Sequence, residues 1–337
     1  MKRVLAVVCV LLLGVLAVRS QSVDQDDVIR VESELTNLPF TVTDKERRFI
    51  TTLRAEDVRV IEDGVPQTLF TFQQETDRPL SIAFLIDVSG SQAVTLPDEK
   101  AAARLFIENV IKSNRDQLAI VPFTGSAYLE QELTRDVLKV YQVLQRVEIA
   151  LPAYLGSGRA LSGIPTGPGL PASPPEGTTA IWDAVALTSN NILEKVSGVR
   201  RRAIVLLTDG YDTTSRLSSK EAVNRALAAE TVIYAIGIGD NKMQGVDRGP
   251  LKSLAERTGG RAFFPDKKFD LNAAFAEIEQ ELRTQYLIAY SSSNKKRDGA
   301  YRKITIEITN PELRQQKLEL RHRPGYFAKR SAEGAGK

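Results

Sequence analysis

The sequence predicts an α/β protein: a doubly wound, mostly parallel sheet inserted into a small β-sandwich built from the segments on either side of it. Three observations carry this expectation. Between residues 80 and 283 short apolar runs alternate with amphipathic stretches, the pattern of parallel strands with helices on both faces. Residues 28–78 and 284–328 show only short runs rich in Val, Ile, Thr and Phe, with no sustained helical period. The first apolar run, Leu80-Ser81-Ile82-Ala83-Phe84-Leu85-Ile86, is too short for a helix and reads as a strand buried on both faces.

In chain order, Val28 to Leu35, Phe40 to Asp44, Val58 to Ile61 and Gln67 to Phe72 are the first strands, with Asp63-Gly64 as a hairpin turn. Ala55-Glu56-Asp57 forms one short helical turn. A helix from about Pro97 to Ile111 follows the strand at 80–86, with Pro97 in its first turn, where the missing N–H costs nothing. Gln117 to Phe123 is the next strand and Ala127 to Leu133 a short paired one; Thr134 caps a helix to about Val147. Residues 151–177 are dense in Gly, Pro and Ser, and long loops of this kind are usually functional or disordered. Ile181, Val185, Thr188 and Ile192 share a helical face. Arg201 to Thr208 is a buried strand. Ser218 and Glu221 form a capping box that opens a helix to about Ala229. Thr231 to Ile238 and Arg261 to Phe264 are strands around a helix at Leu251–Thr258, and Asp270 caps a helix to about Arg283. Gln285 to Tyr290, Tyr301 to Thr309 and Lys317 to His322 return to β, with Ile304, Ile306 and Ile308 on one buried face.

A doubly wound unit that starts on a strand and ends on a helix sends both ends out opposite the strand carboxyl ends. The flanking β segments therefore meet there, and one shared sandwich is favoured over two appendages because isolated hairpins are marginal in water. The expected boundaries are a signal at 1–20, sandwich segments at 21–79 and 284–328, the α/β domain at 80–283, and a disordered tail at 329–337.

Met1-Lys2-Arg3 followed by the uncharged stretch Val4–Val18 has the form of a secretory signal, with small residues near Ser20 for cleavage. It is short for a membrane span, which needs roughly 20 residues; an uncleaved N-terminal anchor is the alternative. A secreted or periplasmic location follows. Without Lys2, Arg3 and Arg19 the formal charge of +3 falls to near zero, so nothing in the charge argues for nucleic-acid binding. The single cysteine, Cys9, lies in the signal, so the mature chain has no disulfide.

Asp87-Val88-Ser89-Gly90-Ser91 stands where the strand at 80–86 ends, and open α/β sheets bind ligands at strand carboxyl ends. One carboxylate and two hydroxyls are hard oxygen donors, suited to Mg²⁺ or Mn²⁺ rather than zinc. Two further junctions carry oxygen: Thr179 opens a helix and Asp209 ends the strand at 201–208. Taken singly, Asp87, Ser89 and Thr179 could be helix caps and Asp209-Gly210 a turn.

Together the five positions resemble the metal-ion-dependent adhesion site of von Willebrand factor type A domains: Asp-x-Ser-x-Ser, then Thr in a glycine-containing turn, then Asp at a strand end. The resemblance covers about residues 80–283. It implies that Ser89, Ser91 and Thr179 bind a divalent cation directly, while Asp87 and Asp209 act partly through water and by bonding to the hydroxyl ligands. Mg²⁺ is the expected ion, with Mn²⁺ or Ca²⁺ as alternatives. Gln92 stands where many relatives carry Met, and Thr178 where Gly is common; neither change removes a donor oxygen. Asp212 lies on the rim, either a solvated loop residue or an aid to a second ion.

Enzyme chemistry is not expected. His322 is the only histidine and is placed on a surface strand, which removes a His-ligated zinc site and a Ser-His-Asp triad. There is no phosphate loop and no nucleophile elbow. The expected function is cation-dependent protein binding or adhesion in the envelope or secreted space, with a partner's Asp or Glu carboxylate completing the metal shell. A structural envelope scaffold with no metal-bridged partner is the alternative.

Overall fold

The computed structural model describes residues 35–74, 78–111, 115–150, 159–164, 178–198, 200–239, 245–266 and 268–330. The expected signal, the strand at Val28–Leu35 except its last residue, and most of the 151–177 loop fall outside them.

Chain order explains the architecture. Strands β1 (Leu35–Thr43), β2 (Val58–Glu62), β3 (Val65–Pro66) and β4 (Leu69–Gln74) come first. The α/β unit follows: β5 (Leu80–Asp87), α1 (Leu96–Val110), β6 (Gln117–Phe123), β7 (Tyr128–Leu129), β8 (Gln131–Thr134), α2 (Val137–Arg146), β9 (Arg159–Ala160), α3 (Ile181–Thr188), β10 (Arg201–Thr208), α4 (Ser219–Ala228), β11 (Thr231–Gly237), α5 (Arg248–Thr258), β12 (Ala262–Phe263) and α6 (Lys268–Arg283). The chain closes with β13 (Tyr286–Ser291), β14 (Tyr301–Ile308), α7 (Pro311–Gln315), β15 (Glu319–His322) and β16 (Gly325–Phe327).

The central sheet runs β12-β11-β10-β5-β6-β8, parallel except for β8. All eight residues of β5 are buried because both of its faces are covered. Ile82, Phe84 and Ile86 join residues of α1, α2 and α6 in one core; Ala83 and Leu85 join residues of α3, α4 and α5 in the other. The Phe84, Phe106 and Phe275 rings meet at 5.1–6.0 Å between centroids and lock α1 and α6 onto the first face.

Strands from both ends of the chain interleave in two antiparallel sheets, β15-β1-β13-β4 and β16-β14-β2-β3. The middle strands β13 and β14 come from after the α/β unit, so neither sheet exists without the C-terminal segment. Leu38, Phe40, Val60, Tyr286, Ile288 and Ile304 fill the space between them. Buried Glu62 accepts hydrogen bonds from Tyr290 (2.8 Å), Tyr326 (3.0 Å) and Ser292, which ties strands of both sheets to one carboxylate.

Several local expectations are corrected. Asp136, not Thr134, caps α2: its carboxylate accepts from the amides of Leu138 and Lys139, while the Thr134 hydroxyl accepts from Asp136 N. Asp270 lies inside α6, which already begins at Lys268. The apolar run at Phe40 is the second half of a longer strand from Leu35 that passes through Pro39; β15 pairs with β1 only from Phe40 onward. Helix α7, with Asn310 as its cap, fills the gap between the expected strands at 301–309 and 317–322. Arg159–Ala160, inside the glycine-rich stretch, pairs with Tyr128–Leu129. His322 is half-buried rather than on the surface, and burial pulls its imidazole below the ordinary range.

A chain ending at Arg283 is expected to lose amide protection at Leu38–Val42 and Val58–Glu62, because each sheet loses one of its two inner strands and an edge strand. Hydrogen exchange checks this; retained protection at those amides would mean the N-terminal strands stand alone.

Candidate functional site

The carboxyl ends of β5, β6 and β10 lie side by side, since Ile86 is in register with both Leu207 and Pro122. Asp87 ends β5 with its side chain fully buried. Its Oδ2 accepts from the Thr208 hydroxyl at 2.6 Å and its Oδ1 from the Ser89 amide at 3.0 Å. The second bond turns the chain back over the strand end, so Ser89 and Ser91 come together with their hydroxyl oxygens 3.0 Å apart. Val88 holds this turn from both sides, donating to Phe123 O and accepting from Ala150 N, each at 2.9 Å.

Thr179 is delivered to the same edge by its backbone. Its amide donates to the Thr213 hydroxyl at 2.8 Å, and its carbonyl accepts from the amides of Thr213 and Thr214. The following amide, of Ala180, donates to Thr124 O just past β6. The loop bearing Asp209 is thereby joined to the start of α3. Asp209 follows β10 directly, and its Oδ1 accepts from Tyr211 N at 3.1 Å. Gly210 has φ +87°, and a Cβ there would lie 2.5 Å from Asp247 O, so no other residue fits this turn. Asp212 sits on the rim, where its carboxylate accepts from Ile181 N at 2.7 Å and from the Ser215 hydroxyl. It holds the first turn of α3, as Asp183 does by accepting from Arg216 N and Leu217 N.

The electrostatics are lopsided. Burial pushes the Asp87 carboxyl up to about 6, against its bonds to Thr208 and Ser89, and the charge of Asp209 adds to the rise. Glu99 on α1, 1% exposed, is raised further, to about 8, chiefly by burial and also by the charges of Asp87 and Asp209. Neither Glu99 oxygen has a hydrogen-bond partner among the described residues, and the nearby Thr95 hydroxyl donates instead to Gln92 Oε1 at 2.9 Å. Buried Gln92 has an unpartnered Nε2 as well. No ion pair among the described residues involves Asp87, Glu99 or Asp209, whereas Lys100, next to Glu99 in sequence, reaches the carbonyls of Gln145 and Val147. No group of three or more His, Cys, Asp or Glu placed to hold a metal occurs among the described residues, so the donor set is hydroxyl-rich. Sequence reading missed Glu99, Thr208 and Asp183; the last two follow from strand register and loop closure, and Glu99 has no motif.

Residues 172–281 match the profile of the von Willebrand factor type A domain. The match spans about a third of the chain, in the second half of the α/β unit. The magnesium-chelatase 67 kDa subunit of Chlorobaculum tepidum is 26% identical over 199 residues, which are 54% of this chain and 28% of that subunit. This chain thus spans under a third of the length of that relative. Among solved structures, a von Willebrand factor type A protein from Catenulispora acidiphila covers 89% of this chain and 74% of its own, with a TM-score of 0.48 and 12% identity. Proximal thread matrix protein 1 from the mussel byssus, with a zinc-occupied MIDAS motif, covers 64% and 49% with a TM-score of 0.47 and 17% identity. BatB from Bacteroides thetaiotaomicron covers 61% and 100% with a TM-score of 0.46 and 17% identity.

Glu99 supplies a pH test of the metal-free domain. Folded Glu99 holds its proton to about 8, while an unfolded glutamate releases it near its ordinary value of 4.5. Between those values the unfolded chain binds fewer protons, so stability falls as pH rises. Glu99→Gln is expected to raise stability in EDTA at pH 8 by roughly 1–3 kcal/mol. It should leave only the decline below about pH 6 that belongs to Asp87. Denaturant unfolding from pH 5 to 8 reads this directly; an unchanged slope would contradict it.

Proposed function

We propose that this domain binds a divalent cation at the carboxyl edge of its sheet and uses it to capture a carboxylate from a protein partner. The carrying observation is that three buried carboxyl groups, Asp87, Glu99 and Asp209, have no ion pair among the described residues, at the strand end that brings two hydroxyls 3.0 Å apart. Ser89, Ser91 and Thr179 supply neutral hydroxyls; Asp87 and Asp209 hold these and bound water in place. Mg²⁺ favours six oxygens and keeps several waters, so a site with few charged donors leaves positions for an outside oxygen. A Glu or Asp of the partner supplies that oxygen together with charge. Val94, 69% exposed, follows Ser91 by three residues and offers an apolar contact beside the ion. Mn²⁺ and Ca²⁺ satisfy the same donors.

We read the chain as a binding module without catalysis, acting in the envelope or secreted space. Its sole histidine, His322, lies in β15 of the sandwich, apart from the strand ends that carry the site. No helix among the described residues is long and apolar enough to cross a membrane.

Mg²⁺ at a hundredfold excess over its Kd is expected to stabilise the wild type by about 2.7 kcal/mol over the EDTA-treated protein. Asp209→Ala should keep the fold and lose this increment. Partner captured from an envelope extract in Mg²⁺ should be released by EDTA and not captured by the variant. If Mg²⁺, Mn²⁺ and Ca²⁺ all leave the thermal midpoint unchanged, the metal assignment fails; capture indifferent to EDTA would leave a scaffold role instead.

A further inference from the structure

The outer face of the sheet β16-β14-β2-β3 carries an aromatic pair beside a cluster of cations. Tyr301 and Lys303 point outward on β14, alternating with buried Arg302 and Ile304. Phe327 of β16 stands opposite Tyr301, and the two rings meet edge to face at 5.2 Å between centroids. Tyr301 is 42% and Phe327 38% exposed, so the pair faces solvent. Gly325 lies opposite Lys303 on the same ladder. A Cβ there would come within 2.5 Å of Tyr301 Cζ, so the tyrosine ring rests on the glycine and stays along the sheet surface. We propose that this face docks on an anionic lipid surface.

The cations come from segments that the fold brings together. Lys295, Lys296 and Arg297 lie in the turn between β13 and β14, Lys329 and Arg330 follow β16, and with Lys303 all six are exposed. Ala328 N donates to Ala300 O at 2.9 Å, and Asp298 and Arg330 pair backbone to backbone. The Arg330 side chain crosses Gly299, where a Cβ would meet its Nε at 2.5 Å. Two carboxylates stand among these cations, and both are engaged. Asp298 takes buried Arg302 at 2.9 Å, and Asp63 accepts from Lys303 N at 2.9 Å. Glu62 is buried on the inner face, and Glu307, farther along β14, pairs with Arg59 at 3.0 Å. Lys295, Lys296, Lys303 and Arg330 take part in no ion pair among the described residues, and the Lys295 ammonium donates to the neutral Ser291 hydroxyl. These four carry the charge argument.

Exposed rings flanked by Lys and Arg suit the boundary between headgroups and acyl chains, where rings sit at headgroup level and basic side chains reach the phosphates. Each cation close to an anionic bilayer tightens attachment about fivefold, and the attraction fades within a Debye length. The two rings alone are too small an anchor for a neutral bilayer, where even one acyl chain is marginal. A bilayer therefore answers both features at once. An acidic protein segment answers the cations and leaves the rings in water.

The test uses the full chain in EDTA, so that no divalent ion bridges protein to lipid and the result is independent of the metal reading. Co-sedimentation is compared between vesicles of phosphatidylcholine alone and vesicles of phosphatidylcholine and phosphatidylglycerol in equal parts, at low and high NaCl. The quantity read is the gain in binding on the anionic vesicles, which is expected to shrink with salt. Lys295→Gln together with Lys296→Gln should weaken it about twentyfold, and Thr305→Lys, which adds a cation to the same outward row of β14, should strengthen it about fivefold, a gain that no folding defect mimics. Phe327→Ser should weaken binding at both salt concentrations. Attachment through the apolar stretch Val4–Val18 would be the same on both vesicles and in every variant, and that result overturns the proposal. Retention on immobilised polyglutamate without binding to the anionic vesicles overturns it in favour of an acidic protein partner.

Discussion

The Asp87 carboxylate is the constraint on which the site depends. It ends the fully buried strand β5, with one oxygen bound to the hydroxyl that ends β10 and the other to the amide that begins its own loop. The first bond fixes the register of two central strands at the edge where the loops leave; the second decides how the chain turns and so where Ser89 and Ser91 lie. A fully desolvated carboxylate is unfavourable unless its charge is met. Two hydrogen bonds meet part of it, yet its carboxyl group remains shifted upward. Local structure and residual charge are thus two results of one placement.

That placement gives the sheet opposite charge at its two ends. At the carboxyl edge burial raises the proton affinity of Asp87 and Glu99, and the charge of Asp209 adds to both. At the amino edge guanidinium groups bind carbonyls that the strand ends and loops leave open, as Arg200 does at Leu80 O and Arg201 at Leu282 O. An arginine also joins the sandwich to the α/β unit: Arg321 of β15 lies 3.4 Å from buried Glu281 of α6. Buried Asp116 answers a cation at this edge: it takes Leu80 N on one oxygen and Arg283 at 3.0 Å on the other, anchoring the entry to β5 and the exit from α6 together.

The alternation that predicts the parallel sheet was readable because β5, β6, β10 and β11 are buried on both faces, so their apolar runs are nearly unbroken. The interleaved sandwich was readable from the position of two weak β segments, since neither has enough strands alone. Caps were harder. Thr134 and Asp136 are both good capping residues two positions apart, and only the bend in the chain places the Asp136 carboxylate at the helix amides. Asn310-Pro311 carried a readable start for α7, hidden by the apolar alternation on either side. At the site, Asp-x-Ser-x-Ser and Asp209-Gly210 stand out because hydroxyls and acids there interrupt apolar strands. Thr208 looked like a strand residue and Asp183 like a helix residue; their roles come from contacts between segments 121 and 33 residues apart.

Glu99 was illegible for a further reason. On α1 it is followed by Lys100, and such a pair usually marks a solvated helix face. Here Lys100 turns outward to the carbonyls at the end of α2, an arrangement favoured by the negative end of that helix. Glu99, about 100° round the helix, is turned into the core behind the Asp87 turn. Packing alone does not call for an acid in that place: Gln has nearly the same shape and avoids the desolvation penalty. The acid differs from Gln in that it can ionise: burial and the charges of Asp87 and Asp209, acting through the poorly screening interior, hold its proton on up to about 8. A cation at the hydroxyl cluster would favour release of that proton without touching the carboxylate, which leaves its coordination positions to oxygens from the loops and from outside.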